Sequence, residues 1–156
     1  MKVVNMQVVL GVDPGKHTGL ALVQEKGSVP HVLAAGEVLI PVVGETTLRV
    51  LSGELMGLLY DAPRKGEVVI EDFYPYSPWG AGETLQIIGV VKYLAAEFGW
   101  PVTMVSPTAK HYWPEEKIRA KFPHLLGELP NDSPHVRDAL GIALAVLYKG
   151  EWREAV

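Results

Sequence analysis

Apolar residues follow a spacing of two in some stretches of the chain and of three to four in others, and these changes mark the expected elements. Residues 6–12 and 18–24 are apolar runs of strand length on either side of a Pro-Gly turn, which is typical of a β-hairpin. A third β-rich run at 31–40 would extend the pair to an antiparallel meander. Leucines at helical spacing then predict a helix at 45–60, and a proline follows its end.

The second half of the chain alternates short strands with helices. Two β-branched runs, at 67–71 and 101–105, predict a fourth and a fifth strand. Between these runs, apolar residues at helical spacing predict a helix at 84–98, which is followed by a glycine. A last helix is expected at 134–149, with a serine as its cap and a proline in its first turn. The mixed, cation-containing segment 108–126 is assigned to no element.

This order of elements predicts one α/β domain, residues 1–156, built on a five-stranded mixed sheet flanked by helices. Strands 1–3 would be antiparallel, and strands 4 and 5 parallel. No apolar run reaches about 18 residues, and the first residues lack a signal-peptide cleavage site. The chain has no cysteine, which excludes disulfides and thiolate metal sites. We therefore expect a cytoplasmic protein without a membrane partner.

Charge distribution leaves two interpretations open. The net charge of −4 argues weakly against a nucleic-acid partner, but acids clustered in a metal site would produce the same balance. Residues 110–121 hold more cations than acids: Lys110, Lys117, Arg119 and Lys121 against Glu115 and Glu116. This segment is either a solvated face or an edge that follows phosphates. Few Asn and Gln residues and 12 prolines are typical of a thermophilic origin.

Asp13 is the most informative charge, because it stands at the inner end of the first strand. Burying a lone carboxylate is costly unless hydrogen bonds or a cation compensate it. Backbone N–H groups of the Pro-Gly turn would satisfy Asp13, and so would a metal ion.

Two further carboxylates occupy the ends of core elements. Glu71 ends the fourth strand, and Asp138 lies in the first turns of the last helix, three residues after His135. Residues three apart share a helix face, so His135 and Asp138 can point at one spot. If strands one and four are neighbours, Asp13 and Glu71 converge as well, and a cation between them would relieve their repulsion.

These donors suggest a particular metal chemistry. Carboxylate oxygens with one imidazole suit Mg²⁺ or Mn²⁺. A pair of such ions about 4 Å apart can activate a water and stabilise the leaving oxygen of a phosphodiester.

Each of these residues also has a simpler structural interpretation. Glu71 could be a solvated strand end, and Asp72 competes with it, since alternation lets only one of the two face the site. His135 could be an ordinary first-turn residue, and Asp138 a carboxylate that favours the helix dipole. Asp132 fits a capping or solvent role better than a ligand role.

Three segments, in this order, resemble the RuvC family of Holliday-junction resolvases within the ribonuclease H-like superfamily. GVDPGKHTGLAL at 11–22 is similar to the opening signature of that family, an aliphatic run followed by Asp-Pro-Gly and Thr-Gly. IEDFY at 70–74 resembles its second acidic strand, and HVRDALGIALA at 135–145 resembles its C-terminal helix. The resemblance spans almost the whole chain and implies a ribonuclease H-like fold, in a phage or thermophile variant.

The resemblance implies an endonuclease that resolves four-way DNA junctions by paired symmetric nicks in a bacterial or phage-infected cell. It assigns a catalytic set that would hold two Mg²⁺ ions, replaceable by Mn²⁺: Asp13, Glu71, His135 and Asp138. Five residues are expected to contact DNA: Lys16, Phe73, Tyr74, Lys110 and Lys117. The aromatic residues could equally pack within their own loop or stack on unpaired bases. The family forms homodimers through the helix that matches 84–98.

Other functions stay open at this point. A ribonuclease H-like nuclease acting on other branched DNA or on RNA would use the same acids. A non-catalytic nucleic-acid-binding module could use the same scaffold. An actin-like or sugar-kinase ATPase shares the Asp-x-Gly turn but needs two such domains, which 156 residues cannot supply.

Overall fold

The structure, a computed structural model, describes residues 6–72, 81–107 and 112–148. The strands are β1 Met6–Asp13, β2 His17–Lys26, β3 Val29–Leu39, β4 Glu67–Glu71 and β5 Val102–Val105. The helices are α1 Glu45–Asp61, α2 Ala81–Phe98, α3 Glu115–Lys121, α4 Leu125–Glu128 and α5 Pro134–Leu147. Among these helices, none combines the length and the apolar character that crossing a bilayer requires.

All five strands join one mixed sheet in the order β3-β2-β1-β4-β5. β1, β2 and β3 are antiparallel to one another, whereas β4 runs parallel to β1 and β5 parallel to β4. This arrangement confirms the predicted five-stranded α/β fold. β1 lies at the centre and is buried from Val8 to Asp13, because strands flank it on both sides and helices cover both faces.

Side-chain alternation divides the core into two layers. On one face, Leu10 of β1 packs with the apolar residues of α1 and α2. On the other face, Val9 of β1 and Val69 of β4 pack with α5. Asp13 and Glu71 lie an even number of residues after these two valines, so they belong to the α5 face. Both carboxylates therefore end their strands on the same side of the sheet.

Helix α5 lies very close to the sheet because glycines face it. A Cβ atom at Gly11 would come within 2.1 Å of the carbonyl oxygen of Ala139. At Gly19 a Cβ atom would come within 2.0 Å of the carbonyl oxygen of His135. Real Cβ atoms essentially never approach another atom within 3.0 Å. The two glycines thus determine how deeply the first turns of α5 sit.

The segment without a predicted element contains α3 and the start of α4. These helices have 7 and 4 residues, too short to show a helical period in the sequence. Ile118 and Leu125 anchor them in the α5-side core beside Trp113. Tertiary packing rather than local periodicity therefore accounts for this part of the fold.

We predict that Gly19→Ala lowers the free energy of unfolding by about 3 kcal/mol, the upper part of the usual range for overpacking. The added methyl group meets a backbone carbonyl, which cannot rotate away as a side chain can. Urea denaturation measures the effect. Gly36→Ala on the neighbouring strand is the matched control, because a Cβ atom there has nothing within 4 Å. Equal midpoints for the two variants would contradict the close contact.

Candidate active site

Two carboxylates lie side by side at the ends of β1 and β4. The parallel register pairs Val12 with Ile70, so Asp13 and Glu71 follow at the same level. Neighbouring strands are about 4.8 Å apart, and each of these residues is only 9% exposed. Two buried carboxylates at the ends of adjacent strands favour a cation between them.

The first turn of α5 brings His135 to Asp13. Asp13 pairs with Gly19 across β1 and β2, and the missing side chain of Gly19 leaves room for the backbone of His135. The hydroxyl of Ser133 caps the helix by accepting hydrogen bonds from the backbone N–H groups of His135 and Val136. Nδ1 of His135 lies 3.9 Å from Oδ2 of Asp13. The hairpin and the helix cap together place the imidazole beside the carboxylate.

Asp138 lies one turn further along α5, on the same side of the helix as His135. It is half-buried and borders a cavity of about 270 Å³ together with Glu115 and Arg137. Arg137 donates a hydrogen bond of 2.7 Å to Glu115, which ties α3 to α5 beside Asp138. A hydrogen bond from Arg119, joined by the charge of Arg137, holds the pKa of Glu115 below its usual value.

A polar network that the sequence pattern did not indicate supports His135. The ring of His17 stacks on that of His135, with centroids 4.9 Å apart and planes at 7°. Nδ1 of His17 lies 2.5 Å from Oε1 of Glu37. Ser133 donates a hydrogen bond of 2.6 Å to the other oxygen of Glu37. Glu37 therefore connects the hairpin to the cap of α5.

The position of Glu37 follows from the strand register. Asp13 pairs with Gly19, and Gly19 pairs in turn with Glu37, so the three residues form one row across β1, β2 and β3. Only the register of β3 could have shown that Glu37 belongs to this site, and the sequence does not specify that register.

Thr18 shapes the turn that follows Asp13. Its hydroxyl donates to the carbonyl of Gly15 at 2.8 Å, and the side chain is fully buried. This bond makes Thr18 part of the support of the hairpin. Lys16, by contrast, is exposed in the same turn.

Two competing acids lie away from the buried pair. Asp72 follows Glu71 and is exposed, and its backbone N–H continues the ladder by donating to Val105 at 2.7 Å. The side chain of Asp132 is 95% exposed and lies 3.8 Å from Arg137. Burial and strand alternation therefore favour Glu71 over both.

The expected DNA contacts are only partly within the described residues. Phe73, Tyr74 and Lys110 lie outside them. Nζ of Lys117 donates to the carbonyl of Tyr112 at 3.1 Å and lies 4.3 Å from the ring centroid of Trp113. These contacts give Lys117 a structural role in holding α3, while its contact with DNA stays a prediction.

The chain resembles known proteins in sequence and in fold. No family model matches it. The crossover junction endodeoxyribonuclease RuvC of Chlorobium chlorochromatii (strain CaD3) is 28% identical over 159 residues, which cover 95% of this chain and 83% of that protein. A Thermus thermophilus RuvC structure matches with a TM-score of 0.71 at 25% identity, covering 92% of this chain and 95% of the other. T. thermophilus RuvC in complex with a Holliday junction substrate matches with a TM-score of 0.72 at 24% identity, covering 92% and 94%.

We predict that Ser133→Ala raises the pKa of Glu37. The hydrogen bond from Ser133, followed by that from His17, holds this pKa below the ordinary value of 4.5. A depressed pKa stabilises the fold above the unfolded-state pKa, and this stability is lost as the pH falls through the folded-state value. The difference in unfolding free energy between wild type and Ser133→Ala should therefore shrink as the pH falls below 4.5.

Carboxyl-detected NMR titration of Glu37 checks the shift directly. Ser52→Ala on α1 is the control and should leave the Glu37 titration unchanged. The proposed network would be wrong if Ser133→Ala and Ser52→Ala gave the same Glu37 pKa.

Proposed function

We propose that the chain belongs to the RuvC family, to one member of which it is similar over 95% of its length, and that it is a metal-dependent endonuclease that resolves four-way DNA junctions by paired symmetric nicks. The observation that carries the proposal is the convergence of Asp13, Glu71 and His135. Two nearly buried carboxylates end adjacent strands, and an imidazole nitrogen lies 3.9 Å from one of them. We place its action in the cytoplasm of a bacterial or phage-infected cell.

The donor set fits Mg²⁺, with Mn²⁺ as a substitute. Asp13, Glu71 and Asp138 offer the carboxylate oxygens that Mg²⁺ prefers, and His135 adds one nitrogen. When two ions are bound, they would lower the pKa of an attacking water and stabilise the departing oxygen. Asp13 would share in holding the metal with both of the other elements, since it lies between β4 and the first turn of α5.

The protein's own contribution is to hold these groups in place before substrate arrives. The His17 stack and the Ser133 cap restrict the ring and the backbone of His135. Hydrolysis would join a water oxygen to phosphorus and break the bond to the 3′ oxygen. The products would carry a 5′ phosphate and a 3′ hydroxyl.

Recognition of the junction would depend mainly on its shape, because phosphate contacts position a protein without reading sequence. Lys16 supports this proposal, as it is exposed in the turn directly after Asp13. We propose that Phe73, Tyr74, Lys110 and Lys117 add contacts to the bases and phosphates around the cut.

An exposed strip on α2 supports assembly with a second copy of the chain. Leu85, Gly89 and Tyr93 recur at intervals of four and so share one side of the helix. Leu85 is 55% exposed, Tyr93 is 64% exposed, and the space beside Gly89 is open. Gly89 and Tyr93 line a shallow groove of about 440 Å³ with Leu48 and Ser52 of α1. Exposed apolar surface of this kind marks interaction sites, and we propose a twofold homodimer through α2.

We predict that Asp13→Asn abolishes Mg²⁺-dependent cleavage of a synthetic four-way junction while junction binding survives. The substitution removes a ligand charge but keeps the shape of the side chain. Cleavage and gel-shift assays on the same junction measure the two effects. Asp72→Asn is the matched control, because Asp72 is an exposed acid at the same end of the sheet. This variant should cleave the junction normally.

Retained cleavage by Asp13→Asn would remove this residue from the site. Duplex, flap and RNA substrates tested beside the junction distinguish the other nucleases of this fold. If the protein cut one of these nucleic acids in preference to the junction, that nucleic acid would become the proposed substrate.

We predict that Tyr93→Glu converts the dimer to a monomer. Burying an unpaired carboxylate in an apolar interface is costly, because the charge loses its hydration. Light scattering coupled to size-exclusion chromatography reports the mass. Tyr60→Glu on α1, where Tyr60 is 81% exposed, is the control and should stay dimeric. A dimer that persists in Tyr93→Glu would place the interface elsewhere.

A further inference from the structure

A second group of metal-ligating side chains lies near the start of β3, at the other end of that strand from Glu37. His31 is on β3, His124 immediately precedes α4, and Glu128 ends α4. One ligand atom from each of the three residues lies within 4.8 Å of the others. None of these residues belongs to the candidate active site.

The spacing of the three groups is close to that of a metal site. Nδ1 of His31 lies 3.2 Å from one oxygen of Glu128, and Nε2 of His124 lies 4.0 Å from the other. Four-coordinate zinc with bonds of about 2.1 Å holds its ligand atoms roughly 3.4 Å apart. Small side-chain movements would therefore bring all three groups to bonding distance.

The backbone around the cluster already orients two of the ligands. The N–H of Val32 donates to Glu128 at 3.3 Å, which fixes the carboxylate against β3. Nε2 of His124 lies 2.7 Å from the carbonyl oxygen of Pro30. A metal ion would take Nε2 of His124, the nitrogen that lies 4.0 Å from Glu128, in exchange for this contact.

The donor chemistry distinguishes this cluster from the carboxylate-rich active site. Two imidazoles and one carboxylate form a ligand set that catalytic zinc sites use, with water in the fourth position. Imidazole nitrogen favours Zn²⁺, Co²⁺ and Ni²⁺ over Mg²⁺. The side chains of His31, His124 and Glu128 are 48%, 36% and 30% exposed, so an ion and its water could enter from solvent.

We propose that His31, His124 and Glu128 bind one divalent ion of the zinc class. The ion would cross-link α4 to β3, an edge strand of the sheet. It would thereby add a fixed connection to the apolar packing of Leu125 and the side-chain hydrogen bonds that already hold α4 near β3.

Calorimetric titration of the EDTA-treated full chain with Zn²⁺ tests the proposal. The background carries Asp13→Asn and His135→Ala, which removes ligands from the active site and from the group formed by His17, Glu37 and His135. This protein should bind one Zn²⁺ per chain. Adding His31→Ala or Glu128→Gln should weaken binding at least about tenfold. Adding His17→Ala instead should leave it unchanged.

A second measurement guards against a folding effect of these variants. Zn²⁺ should raise the melting temperature of the background protein, because an ion that binds only the folded state stabilises it. The rise should disappear in Glu128→Gln and persist in His17→Ala. Unaltered Zn²⁺ affinity in both His31→Ala and Glu128→Gln would overturn the proposal. Junction cleavage with Mg²⁺ is measured separately, on a protein whose only change is Glu128→Gln. The proposed zinc-class site and the proposed endonuclease function can therefore fail independently.

Discussion

The close contact between α5 and the glycines of the central strands determines where the candidate catalytic groups lie. Gly19 pairs with Asp13 in the sheet and also receives the backbone of His135 from the helix. Gly11 makes the same kind of contact one turn further along, at Ala139. A side chain at either glycine would push the helix away from the sheet. The imidazole would then lose its place beside the carboxylate.

Polar contacts on both sides of the first turn of α5 complement the apolar packing of the helix. Glu37 links His17 to the Ser133 cap on one side, and Arg137 links Glu115 to the helix on the other. The buried face of α5 is apolar and holds the helix to the sheet. Apolar packing alone fixes the rotation and the sliding of the helix on the sheet less well than directional hydrogen bonds do. Burial therefore supplies the stability, and the polar network specifies the orientation that the proposed metal chemistry would require.

The sequence predicts the elements that have strong local signals. Apolar runs interrupted by turns correctly indicate the five strands, and the positions of Asp13 and Glu71 follow because each ends such a run. The short helices α3 and α4 escape prediction, since Ile118 and Leu125 are held by the core rather than by a local period. Glu37 escapes too, because its role arises from the register of three strands. The structural contacts of Lys117 could not be inferred from its charge, which suits a phosphate equally well.

The central claim is that the protein resolves four-way junctions with the help of a metal. The most direct test is to incubate the wild-type protein with a mobile four-way junction and Mg²⁺ or Mn²⁺ as the only metal, and to measure cleavage. Mapping the nicks on all four strands shows both the activity and its symmetry. We expect paired nicks at symmetrically related positions, with 5′ phosphates that DNA ligase can reseal. Binding of the junction without any cleavage in either metal, or equal cleavage of linear duplex, would contradict the account.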